Sequence, residues 1–177
     1  MDDIVRRIID KSERLSIPCS RICIGVSIEQ QKLWVFENGK PLASYPVSTS
    51  VKPPSCVLDS AGTPTGLHRV EQRIGDGEKP GVVFFSRVST GRPFWDFDDD
   101  IQERNLITSR ILWLRGLEEG VNSGEGVDTF QRYIYIHGTN HEDRIGRPAS
   151  GGCVVLANVE MIRLYDQVPG GSLVLIE

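Results

Sequence analysis

Most of this chain is patterned with a period of two, which restricts it to a fold built mainly from β-strands. Residues 22–28 read ICIGVSI, with Ile or Val at every second position, and this pattern predicts a half-buried strand. Asn38-Gly39, between two such segments, is a strong hairpin signal. Strands are predicted at 22–28, 31–37, 42–48, 67–74, 82–88, 106–114, 133–137 and 172–176. The acidic run at 98–100 is predicted to be a solvated loop.

Two segments carry the helical period instead. Residues 3–15 place Ile4 and Ile8 one turn apart, which predicts an amphipathic helix. Residues 159–168 carry a second apolar stripe, and Asn158 is predicted to cap that helix. The chain is therefore expected to be mainly β, with only one or two helices.

Length and charge limit the organisation and the partners. The 177 residues suit one main domain, which we place at 21–177 behind a helical arm at 1–20. A net charge of −4 argues against a nucleic-acid partner, because phosphate contacts need clustered positive charge. No apolar stretch approaches the ~20 residues that span a bilayer, and the N-terminus lacks the apolar run of a secretion signal. We expect no transmembrane segment and a cytoplasmic location as encoded, or action at the cell envelope if another route exports the chain.

The residues that point to chemistry are concentrated between positions 134 and 158. A predicted strand ends in a His-Gly pair, and a later Ser-Gly-Gly leads into a Cys. Glycines beside a Cys leave room for a substrate carbonyl, and their amides can form an oxyanion hole. A nearby imidazole can take the thiol proton, so that the thiolate attacks the carbonyl. The residues concerned are His137, Gly138, Ser150, Gly151, Gly152 and Cys153.

The spacing alone leaves other interpretations open. A Cys beside glycines also occurs as a tight backbone contact, and a His at a strand end also occurs as a structural residue. Because His141 follows His137 by four residues, a metal site of Cys153, His137 and His141 is a further alternative. Cys19 and Cys23 lack the second pair that a zinc site of four ligands needs.

Together these motifs resemble the L,D-transpeptidase (YkuD-type) family of cell-wall enzymes. The family hallmark is a His-Gly pair followed, some fifteen residues later, by Ser/Thr-His-Gly-Cys, and here His137 and Cys153 are 16 residues apart. The resemblance covers roughly residues 21–177. Its other elements are the hairpin at 24–39, the strand at 45–49, the turn at 63–66 and the closing helix and strand at 164–176.

The resemblance implies a β-sandwich-like catalytic domain with one C-terminal helix, a Cys beneath a flap, and neither metal nor cofactor. It implies that Cys153 is the nucleophile, that His137 is the general base, and that the carbonyl of Gly138 orients the imidazole. Amides around Gly152 and Cys153 would then bind the oxyanion. The remaining substrate-side candidates are Ser150, Gly151 and His141.

The implied substrate is the peptidoglycan stem tetrapeptide. Cys153 would attack the carbonyl of its third, diamino-acid residue, D-alanine would leave, and an amine of a neighbouring stem would resolve the thioester. Water as acceptor would instead give L,D-carboxypeptidase activity. A carbapenem is expected to acylate Cys153, and an activated Cys153 is expected to react with alkylating reagents faster than an ordinary thiol. The oligomeric state is not indicated.

Two positions depart from the family pattern. The second motif histidine is replaced by Gly151, and the Arg or Asn usually found two residues after the Cys is replaced by Val155. Both changes remove polar groups from the site. They predict reduced or redirected activity, and they leave open a catalytically weakened relative that only binds peptidoglycan.

Overall fold

The structure is a computed structural model that describes residues 2–177, so Met1 of the predicted arm lies outside the described residues. The helices and strands follow one another as α1 Asp2–Arg14, β1 Ile22–Ser27, β2 Lys32–Glu37, β3 Lys40–Pro46, β4 Gly66–Ile74, β5 Val82–Phe85, β6 Val88–Pro93, α2 Asp99–Gln102, β7 Ile107–Gly116, β8 Tyr135–Gly138, β9 Val154–Leu156, α3 Asn158–Gln167 and β10 Leu173–Ile176.

All ten strands belong to one mixed sheet that folds back on itself. Its path runs β3-β2-β1-β10-β4-β7, and β7 pairs along its other edge with β8, which pairs with β9. The β5–β6 hairpin extends the sheet from β7 on the edge opposite β8. A bridge between Ser48 and Val155 links the segment after β3 to β9, so the two ends of the path meet. The predicted mainly β, sandwich-like fold is confirmed.

The folded sheet encloses one large core. Inward-facing side chains of β1, β2, β4, β7, β8, β9 and β10 pack against the apolar stripe of α3, including Met161, Leu164 and Tyr165. Burying each such side chain is worth roughly 1.5–3 kcal/mol. This packing holds β8 and β9 in place from one side, which leaves their other side for the groups described below.

The first strand is buried on both faces, so the prediction of a half-buried strand was wrong. Ile4 and Ile8 of α1 pack against Cys23 of β1. A Cβ added at Gly25 would lie 2.5 Å from the Ile4 side chain, so the helix needs a glycine beneath it. Period two predicts which residues share a face of a strand, but it cannot predict what a distant helix will cover.

Two further local predictions were wrong. The segment 82–88 forms two strands, because Ser86 and Arg87 both adopt left-handed φ, 48° and 69°, and reverse the chain. Left-handed residues other than Gly and Asn carry little sequence signal. The acidic run at 98–100, predicted as a loop, leads into the short helix α2. By contrast, the Asn38-Gly39 turn is confirmed, with φ of 49° and 76°.

Across residues 2–177, no helix combines the length and the apolar character needed to cross a membrane.

Candidate active site

The two motifs meet because β8 and β9 lie side by side and run parallel. Ile136 pairs with Val154, and His137 pairs with Val155. Ile136 and Val154 face the core, and successive side chains of a strand alternate. His137 and Cys153 therefore both project to the opposite face of the sheet, although they are 16 positions apart in the sequence.

On that face lies a cavity of about 210 Å³. Five of the predicted site residues line it, namely His137, His141, Ser150, Gly151 and Cys153. Gly138 and Gly152, the other two predicted site residues of the motifs, do not line it. Much of the remaining wall is apolar, formed by Leu106, Ile107, Ile145, Ala149 and Val155.

The imidazole of His137 is held by the backbone of the next residue. His137 is only 7% exposed, and its Nδ1 lies 2.7 Å from the carbonyl oxygen of Gly138. A carbonyl can only accept a hydrogen bond, so Nδ1 carries the proton and Nε2 is an unprotonated base. Burial lowers the pKa of His137 to about 4, which keeps the ring neutral at pH 7.

Position 138 has no room for a side chain. A Cβ at Gly138 would lie 2.8 Å from the Thr108 carbonyl oxygen and 3.0 Å from Oδ1 of Asn158. The backbone of β8 therefore approaches β7 and the start of α3 more closely than a residue with a side chain at position 138 would allow. This close approach fixes the carbonyl that orients His137.

Asn158, predicted as a helix cap, has a different role. The residue at the cap position of α3 is Ala157, and the Asn158 side chain is buried. Its Oδ1 accepts from the Thr108 hydroxyl at 2.6 Å, and its Nδ2 donates to the Thr139 carbonyl and to Glu142 Oε1, each at 2.7 Å. Asn158 thus ties β7, the end of β8 and the following loop together. Sequence reasoning missed this role because an Asn before a helix gives the same signal as a cap.

Cys153 rests as a neutral thiol. Its Sγ accepts a hydrogen bond from the Tyr135 amide at 3.3 Å and lies 3.7 Å from the Tyr133 carbonyl. Burial raises its pKa to about 11, opposed by the Tyr135 amide and the charge of Arg132. This differs from the fast-reacting thiol expected from the sequence, since a buried sulfur is harder to ionise. Within residues 2–177, no hydrogen bond joins the sulfur to His137.

Hydrogen bonds within the loop before Cys153 determine which backbone amides are free to bind an oxyanion. The Gly152 amide donates to Ser150 Oγ at 3.2 Å, and that hydroxyl donates to the Cys153 carbonyl at 2.6 Å. Gly152 has a φ of +129°, which requires glycine. Because the Gly152 amide is occupied, the Cys153 amide, which no loop or turn bond occupies, is the better candidate to face an oxyanion.

Gly151 leaves open the space that the resembled family fills with histidine. It is exposed, its φ is not left-handed, and a Cβ there would meet nothing within 4 Å. It borders the cavity of His137 and also a second cavity, of about 400 Å³. His141 does not fill the gap, since its Nε2 is held 3.3 Å from the Glu103 carbonyl.

Arg132 is a neighbour of the site that the sequence did not reveal. Its guanidinium donates to the carbonyls of Ser55 and Gly62 at 3.0 and 2.8 Å. It therefore holds the long loop after β3 against the segment that carries Gly152, whose Cα region faces the Gly62 carbonyl. No local pattern distinguishes this Arg from the other surface arginines.

The fold does not assemble the metal site considered from the sequence. In the part of the chain that the structure describes, no three His, Cys, Asp or Glu residues are grouped so that they could hold a metal ion.

Comparison with known proteins gives one match that covers most of the chain. The family model described as the L,D-transpeptidase catalytic domain, YkuD, matches residues 22–176. A second match, in a stretch of 45 residues, is 44% identical to YqjB of Bacillus subtilis (strain 168), whose own assignment as an L,D-transpeptidase is provisional. This stretch is 25% of the chain and 26% of YqjB.

Solved structures share the fold at low sequence identity. An L,D-transpeptidase from Mycobacterium smegmatis is 17% identical, with a TM-score of 0.55 over 89% of this chain and 58% of its own. An L,D-transpeptidase from Xylanimonas cellulosilytica DSM 15894, residues 123–326, is 19% identical, with a TM-score of 0.55 over 90% of this chain and 62% of its own. LdtMt1 in complex with imipenem is 19% identical, with a TM-score of 0.53 over 89% of this chain and 59% of its own.

The chain thus spans about three fifths of these solved chains and a smaller share of YqjB. The structural matches establish the fold, and the family model covers nearly the whole mainly β domain. The region that the family model matches contains the His-Gly and Ser-Gly-Gly-Cys motifs. The strands β8 and β9 bring these two motifs to one cavity. This chain belongs to the YkuD family of L,D-transpeptidase catalytic domains.

Proposed function

We propose that this protein is a cysteine-dependent L,D-transpeptidase that acts on peptidoglycan stem tetrapeptides through a thioester. The observation that carries the proposal is the hydrogen bond from His137 Nδ1 to the Gly138 carbonyl, because it leaves Nε2 as the base in a cavity that Cys153 also lines. Family membership supports the transpeptidase activity.

Acylation begins from a neutral thiol and a neutral imidazole. The Cys153 side chain turns away from the Tyr133 carbonyl, and its proton passes to Nε2 of His137 as the sulfur bonds to the carbonyl carbon of the third residue. The Cys153 amide holds the oxyanion. The Nδ1 bond to Gly138 stabilises the imidazolium that forms. The tetrahedral adduct then breaks its C–N bond, the departing nitrogen takes the proton from Nε2, and D-alanine leaves a thioester.

Deacylation reverses these roles. An acceptor amine gives a proton to Nε2 of His137 and bonds to the thioester carbon. The C–S bond breaks, and the sulfur recovers the proton as the thiol. The same two residues thus serve both half-reactions, and the chemistry needs no further co-reactant.

One observation favours L,D-carboxypeptidase activity as a second candidate. Gly151 is exposed and has open space where a side chain would stand, so water has a route to the thioester. The same gap supports activity lower than that of relatives that carry the histidine. Val155 contributes only an apolar wall to the cavity.

Intact-mass analysis after incubation with a disaccharide tetrapeptide tests the proposal. Wild type should show an acyl-enzyme together with transfer or hydrolysis product, and a carbapenem should give a stable adduct. Cys153→Ala should give neither. Cys56→Ala is the matched control, because Cys56 is also a free, partly buried thiol but does not line the cavity. If the wild-type protein stays folded and forms no adduct, the result would favour the alternative that this chain is a catalytically weakened relative that only binds peptidoglycan.

A further inference from the structure

The cavity shared by His137 and Cys153 contains one permanent cation and no carboxylate. Arg144 lines this cavity, and no Asp or Glu does. Within residues 2–177 the Arg144 guanidinium forms no salt bridge, and its one side-chain hydrogen bond goes to Asn105 Oδ1 at 3.2 Å. An unpaired guanidinium on a largely apolar wall is suited to an anion.

Adjacent acidic residues do not neutralise this charge, because each is engaged elsewhere. Glu142 Oε1 accepts from the backbone and side chain of Asn158, at 2.8 and 2.7 Å. Asp143 lies 3.7 Å from Arg147, which does not line the cavity. The charge of Arg144 is therefore available to a ligand.

The backbone of Arg144 is fixed. Ser48 Oγ donates to the Arg144 carbonyl at 2.9 Å, and the turn that carries Arg144 begins at Glu142, which Asn158 holds. Asn158 also packs against Gly138. The same side chain thus supports the base of the site and the cation in its wall, so their separation is preset.

The proposed chemistry decides which part of the substrate enters this cavity. His137 must reach the nitrogen of the leaving group, and later that of the acceptor. The leaving nitrogen belongs to D-alanine, whose free carboxylate is bonded to the same carbon. A group so close to that nitrogen must lie in the cavity of His137, where Arg144 is the cation. An acceptor amino acid with the same arrangement meets the same residue.

We propose that Arg144 is a specificity-determining residue that binds the α-carboxylate of the amine component, first in the leaving D-alanine and then in an amino-acid acceptor. This rests on the proposed function of the site. Arg144 would supply the polar contact to the substrate carboxylate that the apolar side chain of Val155 cannot supply. A donor whose terminal carboxylate is blocked is then a poor substrate.

The test compares acylation by a disaccharide tetrapeptide with acylation by its C-terminal carboxamide. Wild type should prefer the carboxylate by about 10- to 100-fold, the scale of a lost charge-assisted hydrogen bond. Arg144→Gln should lose this preference by slowing only the carboxylate substrate, and Arg144→Lys should retain part of it. Arg6→Gln, an exposed arginine of α1 that does not line the cavity, should behave as wild type.

A second readout follows the acceptor. The preformed acyl-enzyme is offered isotope-labelled D-alanine or D-alaninamide, and wild type should incorporate the acid faster, while Arg144→Gln should not discriminate. Equal wild-type rates for carboxylate and carboxamide would overturn the proposal, and so would an Arg144→Gln variant that slows both equally while melting at the wild-type temperature. A wild type that acylates with neither donor would overturn the proposed function and this inference with it.

Discussion

Nδ1 of His137 lies 2.7 Å from the carbonyl oxygen of Gly138, the next residue in the chain. This contact between neighbours exists because the strand approaches Thr108 and Asn158 so closely that only glycine fits. It sets the tautomer of the imidazole without any carboxylate partner. The orientation of the base is therefore a property of backbone packing.

Gly138→Ala should test this dependence. The new Cβ would lie 2.8 Å from the Thr108 carbonyl oxygen, and such overpacking costs about 1–3 kcal/mol of unfolding free energy. Acylation should fall further than stability, because the orienting carbonyl moves. Gly170→Ala is the control, since a Cβ at Gly170 meets nothing within 4 Å. Normal acylation in a folded Gly138→Ala protein would show that the carbonyl does not orient the base.

Thiol alkylation should report the raised pKa of Cys153. At pH 7 iodoacetamide should modify Cys153 much more slowly than the exposed Cys19. The Cys153 rate should keep rising with pH towards the folded pKa of about 11, because only the thiolate reacts. Peptide mass spectrometry after timed quenching gives both rates in one sample. Fast modification of Cys153 at pH 7 would contradict a neutral resting thiol.

Stability should fall on mild acidification because two histidines are buried in the neutral form. Burial lowers the pKa of both His68 and His137 to about 4, against about 6.5 in an unfolded chain. Below pH 6.5 the unfolded state binds more protons, so the stabilisation present above that pH is lost as pH falls to about 4. Each histidine should contribute roughly 2–3 kcal/mol to the loss.

Thermal melts between pH 7.5 and 4.5 measure this loss. His68→Gln removes one of the two titrating groups and should reduce the pH dependence by about half. His68 lines no cavity of the site and is held by the Gly66 carbonyl and the Thr129 hydroxyl. A melting temperature that stays constant over this range would mean that neither ring is held neutral.

Gly151→His should be tolerated, and it tests whether the vacant space limits the rate. The backbone at Gly151 is not left-handed and a Cβ meets nothing within 4 Å, so the free energy of unfolding should change by only about 0.5 kcal/mol. If the imidazole supplies a transition-state hydrogen bond, acylation should rise by up to about 10²- to 10³-fold.

His141→Ala is the companion variant, because His141 lines the same cavity but is held towards Glu103. We expect it to change acylation little. If acylation is much slower in His141→Ala and no faster in Gly151→His, then His141 already supplies the transition-state hydrogen bond expected of the missing histidine.

The sequence by itself determined the fold class and the paired motifs. Period-two segments require strands wherever one face is buried, and the Ser-Gly-Gly-Cys motif carries a local backbone requirement. The left-handed Gly152 is needed by a conformation that lies within the motif itself, and such a requirement can be predicted from neighbours in the chain. The need for glycine at position 138 instead comes from Thr108 and Asn158, which only the fold brings close.

Only the tertiary structure decided the state and surroundings of the site. The pKa of Cys153 depends on burial by segments far along the chain, and the second face of β1 is covered by a helix that its own pattern cannot reveal. Asn158 reads locally as a cap, yet its partners Thr108 and Ser109 are about 50 residues away. Arg144 can bind an anion because no Asp or Glu lines its cavity, and only the folded chain determines which residues line a cavity. Burial and charge are sums over neighbours in space, so a linear pattern cannot supply them.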